Sequence, residues 1–108
     1  IYGFSWEGFA IEQILRTVNP PKGKSYFWAT HGGAEIDLLI ERDGRLFGFE
    51  FKRASSPKTT ASMRRAQEDL KPEKIFVVYP GDKSYPLDSG IEALAFQDIR
   101  ELPSSLSR

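Results

Sequence analysis

Apolar and polar residues alternate on both sides of Asp43-Gly44. An Asp-Gly pair between two such runs is a strong hairpin signal, because glycine accepts the positive φ of a type I′ turn. With these two residues as the loop, side-chain alternation predicts one wholly apolar face for the hairpin from Glu35 to Arg53. The cross-strand pairs expected on that face are Ile40 with Phe47, Leu38 with Phe49, and Ile36 with Phe51.

The hydrophobic periodicity elsewhere predicts two helices and three further strands. The first helix, from Trp6 to Val18, is expected to begin after a Ser5 N-cap and to end at Asn19-Pro20-Pro21. Residues 80 to 90 are expected to form a loop. The other predicted elements, in chain order, are a strand over 25 to 30, a helix over about 60 to 70, a strand over 74 to 79, a short strand over 91 to 96, and a helical turn over 97 to 102.

The run from Lys74 to Tyr79 is continuously apolar, as is typical of a strand covered on both sides of a sheet. It follows a strand and a helix, and such a crossover is right-handed and places its two strands parallel. We therefore expect this strand to run parallel to the one that carries Glu50. The predicted fold is α/β, in the order α-β-β-β-α-β, with a mixed sheet flanked by helices.

Two acids and a lysine meet on the polar face of the hairpin. The same register places Asp37 directly across from Glu50, with Lys52 two residues further along the second strand. Carboxylates at roughly 4.5–5.5 Å between Cβ atoms repel each other unless something compensates. A divalent cation with oxygen ligands would do so, which favours a Mg²⁺-dependent phosphodiesterase site. The alternative is a solvated hairpin face.

Two further polar residues lie on apolar helix faces. Glu7 shares a face with Ile11, Ile14 and Val18, and it is either a carboxylate stabilised by the helix dipole or a third acid that points toward the sheet. Gln67 lies among the apolar residues of the second helix. Its amide either reaches the acidic patch or belongs to an ordinary, partly buried helix residue.

Composition sets wide limits on function. The chain has 108 residues, which suits one domain over residues 1 to 108, and 15 basic residues balance 15 acidic ones. No overall field therefore attracts nucleic acid, although Lys58, Arg64 and Arg65 are candidates for contact with a phosphate backbone or for a solvated basic face.

Cysteine is absent, which removes disulfides, zinc-thiolate sites and thiol nucleophiles and is compatible with the cytoplasm. No apolar run approaches the ~20 residues that span a bilayer, so we expect a cytoplasmic protein without a membrane partner.

Asp37 followed by a hairpin and by Glu50-Phe51-Lys52 resembles the D…ExK signature of the PD-(D/E)XK nuclease superfamily, with Ile36 where the superfamily name has proline. The chain is also similar to a narrower group, the C-terminal domain of unknown function carried by prokaryotic AAA-type ATPases. The motifs of that group are matched by Gly3-Phe4-Ser5-Trp6-Glu7-Gly8-Phe9, Glu35-Ile36-Asp37 and Glu50-Phe51-Lys52.

The resemblance implies a restriction-endonuclease-like fold that hydrolyses DNA phosphodiesters. It implies that Asp37, Glu50 and Glu7 hold Mg²⁺ or Mn²⁺, that Lys52 orients or deprotonates the attacking water, and that Gln67 contacts the site. It also implies that the chain is a C-terminal fragment whose partner is an upstream P-loop ATPase domain. The alternative function is a non-catalytic module that binds nucleic acid or protein and regulates that ATPase.

Overall fold

The computed structural model describes residues 5 to 107, so Gly3 and Phe4 of the N-terminal motif lie outside the described residues. Within this part of the chain, no helix has the length and hydropathy needed to cross a membrane. The elements in chain order are α1 (Trp6–Val18), β1 (Ser25–Ala29), β2 (Glu35–Arg42), β3 (Arg45–Phe51), α2 (Ala61–Leu70), β4 (Lys74–Tyr79), β5 (Tyr85–Asp88), β6 (Ile91–Ala95), a 3₁₀ segment (Phe96–Glu101) and α3 (Leu102–Ser105).

Both long helices begin at side-chain caps. Ser5 Oγ accepts a hydrogen bond of 3.1 Å from the Gly8 N–H, which confirms the predicted start of α1. Thr60 Oγ1 accepts one of 3.2 Å from the Met63 N–H, so α2 begins one residue later than predicted because Thr60 is its cap. In each case the cap satisfies a backbone donor that lacks a partner inside the helix.

The strands form one mixed sheet in the order β1-β2-β3-β4-β6-β5. β4 runs parallel to both β3 and β6, whereas the remaining neighbours are antiparallel. The predicted parallel pairing of β3 and β4 on either side of α2 is therefore confirmed, as is the α/β class with a mixed sheet flanked by helices. The structure differs from the prediction at β5, a four-residue edge strand that lies within the predicted loop.

Each face of the sheet is covered by a different set of elements. α1, the 3₁₀ segment and α3 cover one face, where they bury side chains that include Phe47, Phe49 and Phe51. α2 covers the other face, where Met63 and Ala66 pack on residues of β2, β4 and β6. Because side chains alternate along β3, Gly48 and Glu50 lie on the α2 side.

A bulge in β2 changes the predicted hairpin. The ladder from Arg42–Arg45 to Leu38–Phe49 follows the predicted register. On the other side of β2, however, Tyr26 pairs with Leu39 and Trp28 pairs with Ile36, so β2 contains one extra residue between these pairs. The extra residue reverses the alternation, and Ile36 packs with Leu39 under α2. The predicted pair of Ile36 with Phe51 on one apolar face is therefore wrong.

Candidate functional site

Asp37 and Glu50 are joined by reciprocal hydrogen bonds at the bulge. The Asp37 N–H donates to Glu50 Oε2 at 2.7 Å, and the Phe51 N–H donates to Asp37 Oδ2 at 3.1 Å. The regular β2–β3 ladder ends at Leu38–Phe49, next to this point. Each carboxylate therefore accepts a backbone N–H that a regular ladder would direct to a carbonyl.

Glu50 is the only polar or charged residue in residues 5 to 107 that is buried, with 5% of its surface exposed. It lies on β3 opposite Val77 of β4. Burial raises the pKa of its carboxyl to about 7, against the lowering effect of the Asp37 N–H; the Asp37 charge raises the pKa further, and the Lys52 charge lowers it. A buried acid of this kind beside a second carboxylate is typical of a functional site.

Lys52 brings a positive charge to the rim of this pair. Its backbone N–H donates to the Val78 carbonyl at 2.9 Å, which continues the β3–β4 pairing past the end of β3. Its side chain is exposed and lines a cleft that also contains Lys58. The ammonium group is therefore in contact with solvent while its charge still acts on Glu50.

Glu7 is not brought to the pair. Its exposed side chain lies in the first turn of α1 and accepts a hydrogen bond of 3.3 Å from Ser5 Oγ. α1 packs on the sheet face opposite the one toward which Glu50 points. In residues 5 to 107, no group of three or more His, Cys, Asp or Glu side chains is arranged to hold a metal. A role for Glu7 as a metal ligand stays a prediction.

The amide of Gln67 bonds elsewhere in the structure, and a contact between Gln67 and the acidic pair stays a prediction. Its Nε2 donates to the Ser89 carbonyl at 3.0 Å. The next residue, Gly90, accepts the Ile75 N–H near the start of β4, whereas Glu50 lies near the end of the parallel strand β3. Helical periodicity identified the face on which Gln67 lies, but not the end of the sheet that it reaches.

The three candidate nucleic-acid residues lie in different surroundings. Arg64 forms an ion pair with Asp88, and Arg65 forms one of 2.9 Å with Asp69. Lys58 shares with Lys52 a cleft of about 290 Å³. Arg65 lines a second cleft of about 270 Å³. Of the three residues, Lys58 and Arg65 therefore line these two clefts.

Two features of the region were not predicted. Ser62 Oγ accepts a hydrogen bond of 3.2 Å from the Glu35 N–H, so the start of α2 is joined to the start of β2. The only sequence signal for this contact is the position of Ser62 in the first turn of the helix. The second feature is the position of the predicted strand β1 at the edge of the sheet, where Phe27 is 58% exposed.

If a metal binds in this region, Asp37 and Glu50 are the residues that would hold it. Carboxylate oxygens are hard ligands, and Mg²⁺ is commonly bound by one or two carboxylates that share it with waters and substrate phosphates. A cation would also relieve the repulsion between the two acids. The donor set therefore fits Mg²⁺ or Mn²⁺ with two protein ligands.

Comparison with known proteins places the chain among relatives without an established function. Residues 2–99 match the profile of a family described as a domain of unknown function, DUF4143. The chain belongs to this family. Two uncharacterized proteins, from Mycobacterium bovis and Mycobacterium tuberculosis, are each 41% identical over 97 residues, which is 90% of this chain and 22% of each relative. The chain thus spans less than a quarter of the length of these relatives.

One solved structure is similar to this member of the family. It is the crystal structure of a protein from Vibrio cholerae, which matches with a TM-score of 0.46 and 12% sequence identity. The match covers 91% of this chain and 30% of the Vibrio chain.

Proposed function

We propose that this chain is a nuclease-like domain in which Asp37 and Glu50 hold Mg²⁺ or Mn²⁺ and which hydrolyses DNA phosphodiesters. The observation that carries the proposal is the burial of Glu50 against a second carboxylate, with both acids fixed by backbone N–H groups. Within this proposal, residues 1 to 108 form one restriction-endonuclease-like domain of a cytoplasmic protein.

The charges of the pair support a bound cation. Moving an ionised carboxylate out of water is costly, and a second acid beside it adds repulsion. Lys52 offsets part of this cost, but it is exposed to solvent and the pKa of Glu50 stays raised to about 7. A site with this imbalance binds a divalent cation more readily than one whose charges are already paired.

Each residue then has a defined task. Bound Mg²⁺ or Mn²⁺ supplies Lewis-acid polarisation of a phosphoryl oxygen and makes water a better nucleophile. Asp37 and Glu50 fix the position of the ion, because their oxygens are held by the backbone. Lys52 orients or deprotonates the attacking water, and its charge stabilises the negative charge that develops on the phosphate.

A non-catalytic role in a longer, P-loop ATPase chain is the second candidate. Both carboxylates already accept backbone N–H groups at the bulge, which would suffice for a structural role. β1 is an edge strand on which Tyr26 and Phe27 are exposed, and an exposed apolar edge is suited to strand-mediated binding of another protein. On this hypothesis the domain binds protein or nucleic acid for its ATPase without cleaving it.

Calorimetric titration with Mg²⁺ and Mn²⁺ separates the two candidates. The chain is compared with Asp37→Ala, Glu50→Ala and a matched control, Glu41→Gln, which changes a partly exposed acid on β2. We expect the metal-binding heat to be lost in both alanine variants and kept in the control. Nicking of a supercoiled plasmid should then require the metal, both acids and Lys52.

The proposal fails if no metal binds at millimolar concentration, or if Asp37→Ala binds it as well as the unchanged chain does. Nicking that survives Lys52→Ala at full rate would remove Lys52 from the reaction. Metal binding without cleavage of any DNA would favour the non-catalytic module.

A further inference from the structure

Two clefts lie at the start of α2. The first, of about 270 Å³, is lined by the Gly32-Gly33 turn and by Ala61 and Arg65. The second, of about 290 Å³, is lined by residues that include Lys52, Lys58 and Thr60. Thr60 and Ala61 are consecutive residues, so both clefts lie at the helix start.

The strands that carry the two carboxylates connect these clefts. The wall of the first cleft includes Ala34, immediately before β2, and the Ser62 contact with the Glu35 N–H ties this cleft to the start of that strand. The second cleft includes Lys52, immediately after β3. The first cleft therefore lies where the strand of Asp37 begins, and the second where the strand of Glu50 ends.

Both clefts carry positive charge. Arg65 lines the first, and Lys52 and Lys58 line the second. Among residues 5 to 107, no acidic side chain lines either cleft. The whole chain has a net charge of +0, so this excess is local.

Another cleft, near the hairpin turn, is different. It has a volume of about 460 Å³, and its two cations, Lys24 and Arg42, are balanced by Glu41 and Asp43. The two clefts beside α2 are therefore better suited to phosphate groups than this larger one is.

Arg65 is available to a phosphate although it has an acidic neighbour. Its ion pair with Asp69 joins side chains that are 57% and 39% exposed, and exposed pairs of this kind add little stability. Arg64, the preceding residue, forms a similarly exposed ion pair with Asp88 but lines neither cleft. Two adjacent arginines on one helix are thus expected to differ in their effect on binding.

We propose that one nucleic-acid strand runs through both clefts, with backbone phosphates at Arg65 on one side of the carboxylate pair and at Lys58 on the other. The substrate class is then a polynucleotide that is bound at internal phosphodiesters, and not a mononucleotide or a strand end. The place at which the bound strand is cleaved rests on the proposed function, but binding of the strand through the two clefts requires no metal.

The test is fluorescence anisotropy with a labelled single-stranded DNA of about 20 nucleotides, in EDTA, over salt from about 50 to 200 mM. The variants are Lys58→Gln, Arg65→Gln and their combination, with Arg64→Gln as the matched control. Lys58→Gln and Arg65→Gln should each weaken binding about 3- to 10-fold. Each should also reduce the salt slope, which is the slope of log K against log salt concentration, by about 0.7, and the double variant should reduce this slope by about twice as much. Arg64→Gln should stay within about 2-fold of the unchanged chain. Circular dichroism melting confirms that the variants are folded.

A closed circular single strand tests the use of internal positions. It has no ends, so it should compete with the labelled strand as well, per nucleotide, as a linear strand does. The proposal is overturned if the circle fails to compete, if only one of Lys58→Gln and Arg65→Gln changes the salt slope, if Arg64→Gln is as harmful as Arg65→Gln, or if the strand does not bind at low salt.

The same samples distinguish the failure of this proposal from the failure of the nuclease. Suppose that binding depends on Lys58 and Arg65 and survives Asp37→Ala, but the unchanged chain cleaves no DNA. The proposed binding through both clefts would then stand, and the proposed nuclease activity would be rejected. If the unchanged chain cleaves DNA but Lys58→Gln and Arg65→Gln do not change binding, the nuclease activity would stand and the proposed binding through both clefts would be rejected.

Discussion

Replacing Glu50 with glutamine should stabilise the metal-free chain at neutral and alkaline pH. The side chain is buried, and the pKa of its carboxyl is raised to about 7 from an ordinary value of 4.5. The folded state therefore holds the Glu50 proton more tightly than the unfolded chain does. Glutamine keeps the shape of the side chain and an oxygen that accepts the Asp37 N–H, but it removes the buried negative charge.

The sign and size of this stability difference follow from the linkage between proton binding and folding. The contribution of protonated Glu50 to stability is full below pH 4.5 and is lost as pH rises to about 7. At 1.36 kcal/mol for each unit of pKa difference, the full loss is about 3 kcal/mol, which is an upper limit. Above pH 7 the glutamine variant should be more stable by about 1 to 3 kcal/mol, and near pH 4.5 the two proteins should be equal.

Urea and thermal unfolding in EDTA, at pH 5 and at pH 8, measure this difference. For a chain of this size, each kcal/mol raises Tm by about 4–8 °C. Glu41→Gln is the matched control, since it changes a partly exposed carboxylate on the same hairpin and should show no comparable gain. The reasoning is refuted if Glu50→Gln is less stable than the unchanged chain at pH 8, or if the difference between them does not depend on pH.

Three further predictions concern the ion, the core and the helix cap. Millimolar Mg²⁺ should raise the Tm of the unchanged chain at pH 8 but not that of Asp37→Ala, because only a folded site that binds the ion gains stability from it. Ile36→Ala should cost about 2–5 kcal/mol in urea unfolding, since Ile36 is fully buried under α2; a cost below 1 kcal/mol would contradict that placement. Thr60→Ala should cost about 1 kcal/mol and Thr60→Ser much less, as measured by the same unfolding curves, because serine keeps the cap.

Local chemistry made much of the fold predictable. Ser5 is a helix cap whose effect acts within a few residues, and the Asp43-Gly44 turn sets the register of the strands that it joins. The run from Lys74 to Tyr79 forms a strand with the predicted bounds. These elements are determined by side chains close to them in the chain.

The errors arose where distant contacts decide the outcome. Ile36 lies on the other face of the sheet from the predicted one because β2 has one extra residue in its pairing with β1. Side-chain alternation along the sequence does not reveal this bulge. Tyr85 to Asp88 forms a strand only through its pairing with β6, despite Pro86, which is tolerated at a sheet edge. The proximity of Asp37 to Glu50 followed from the hairpin register, whereas the positions of Glu7 and Gln67 depend on how each helix packs on the sheet.

The parallel pairing of β3 with β4 also has a consequence for the order of folding. The β2–β3 hairpin closes across two residues, whereas β4 can dock on β3 only after the chain has passed through α2. In the isolated hairpin Glu50 would still be hydrated, so the hairpin can form before the carboxylate is covered. The electrostatic cost is incurred when β4 and α2 arrive. Alkaline pH should therefore slow this late docking step or speed its reversal, while the hairpin itself forms at an unchanged rate.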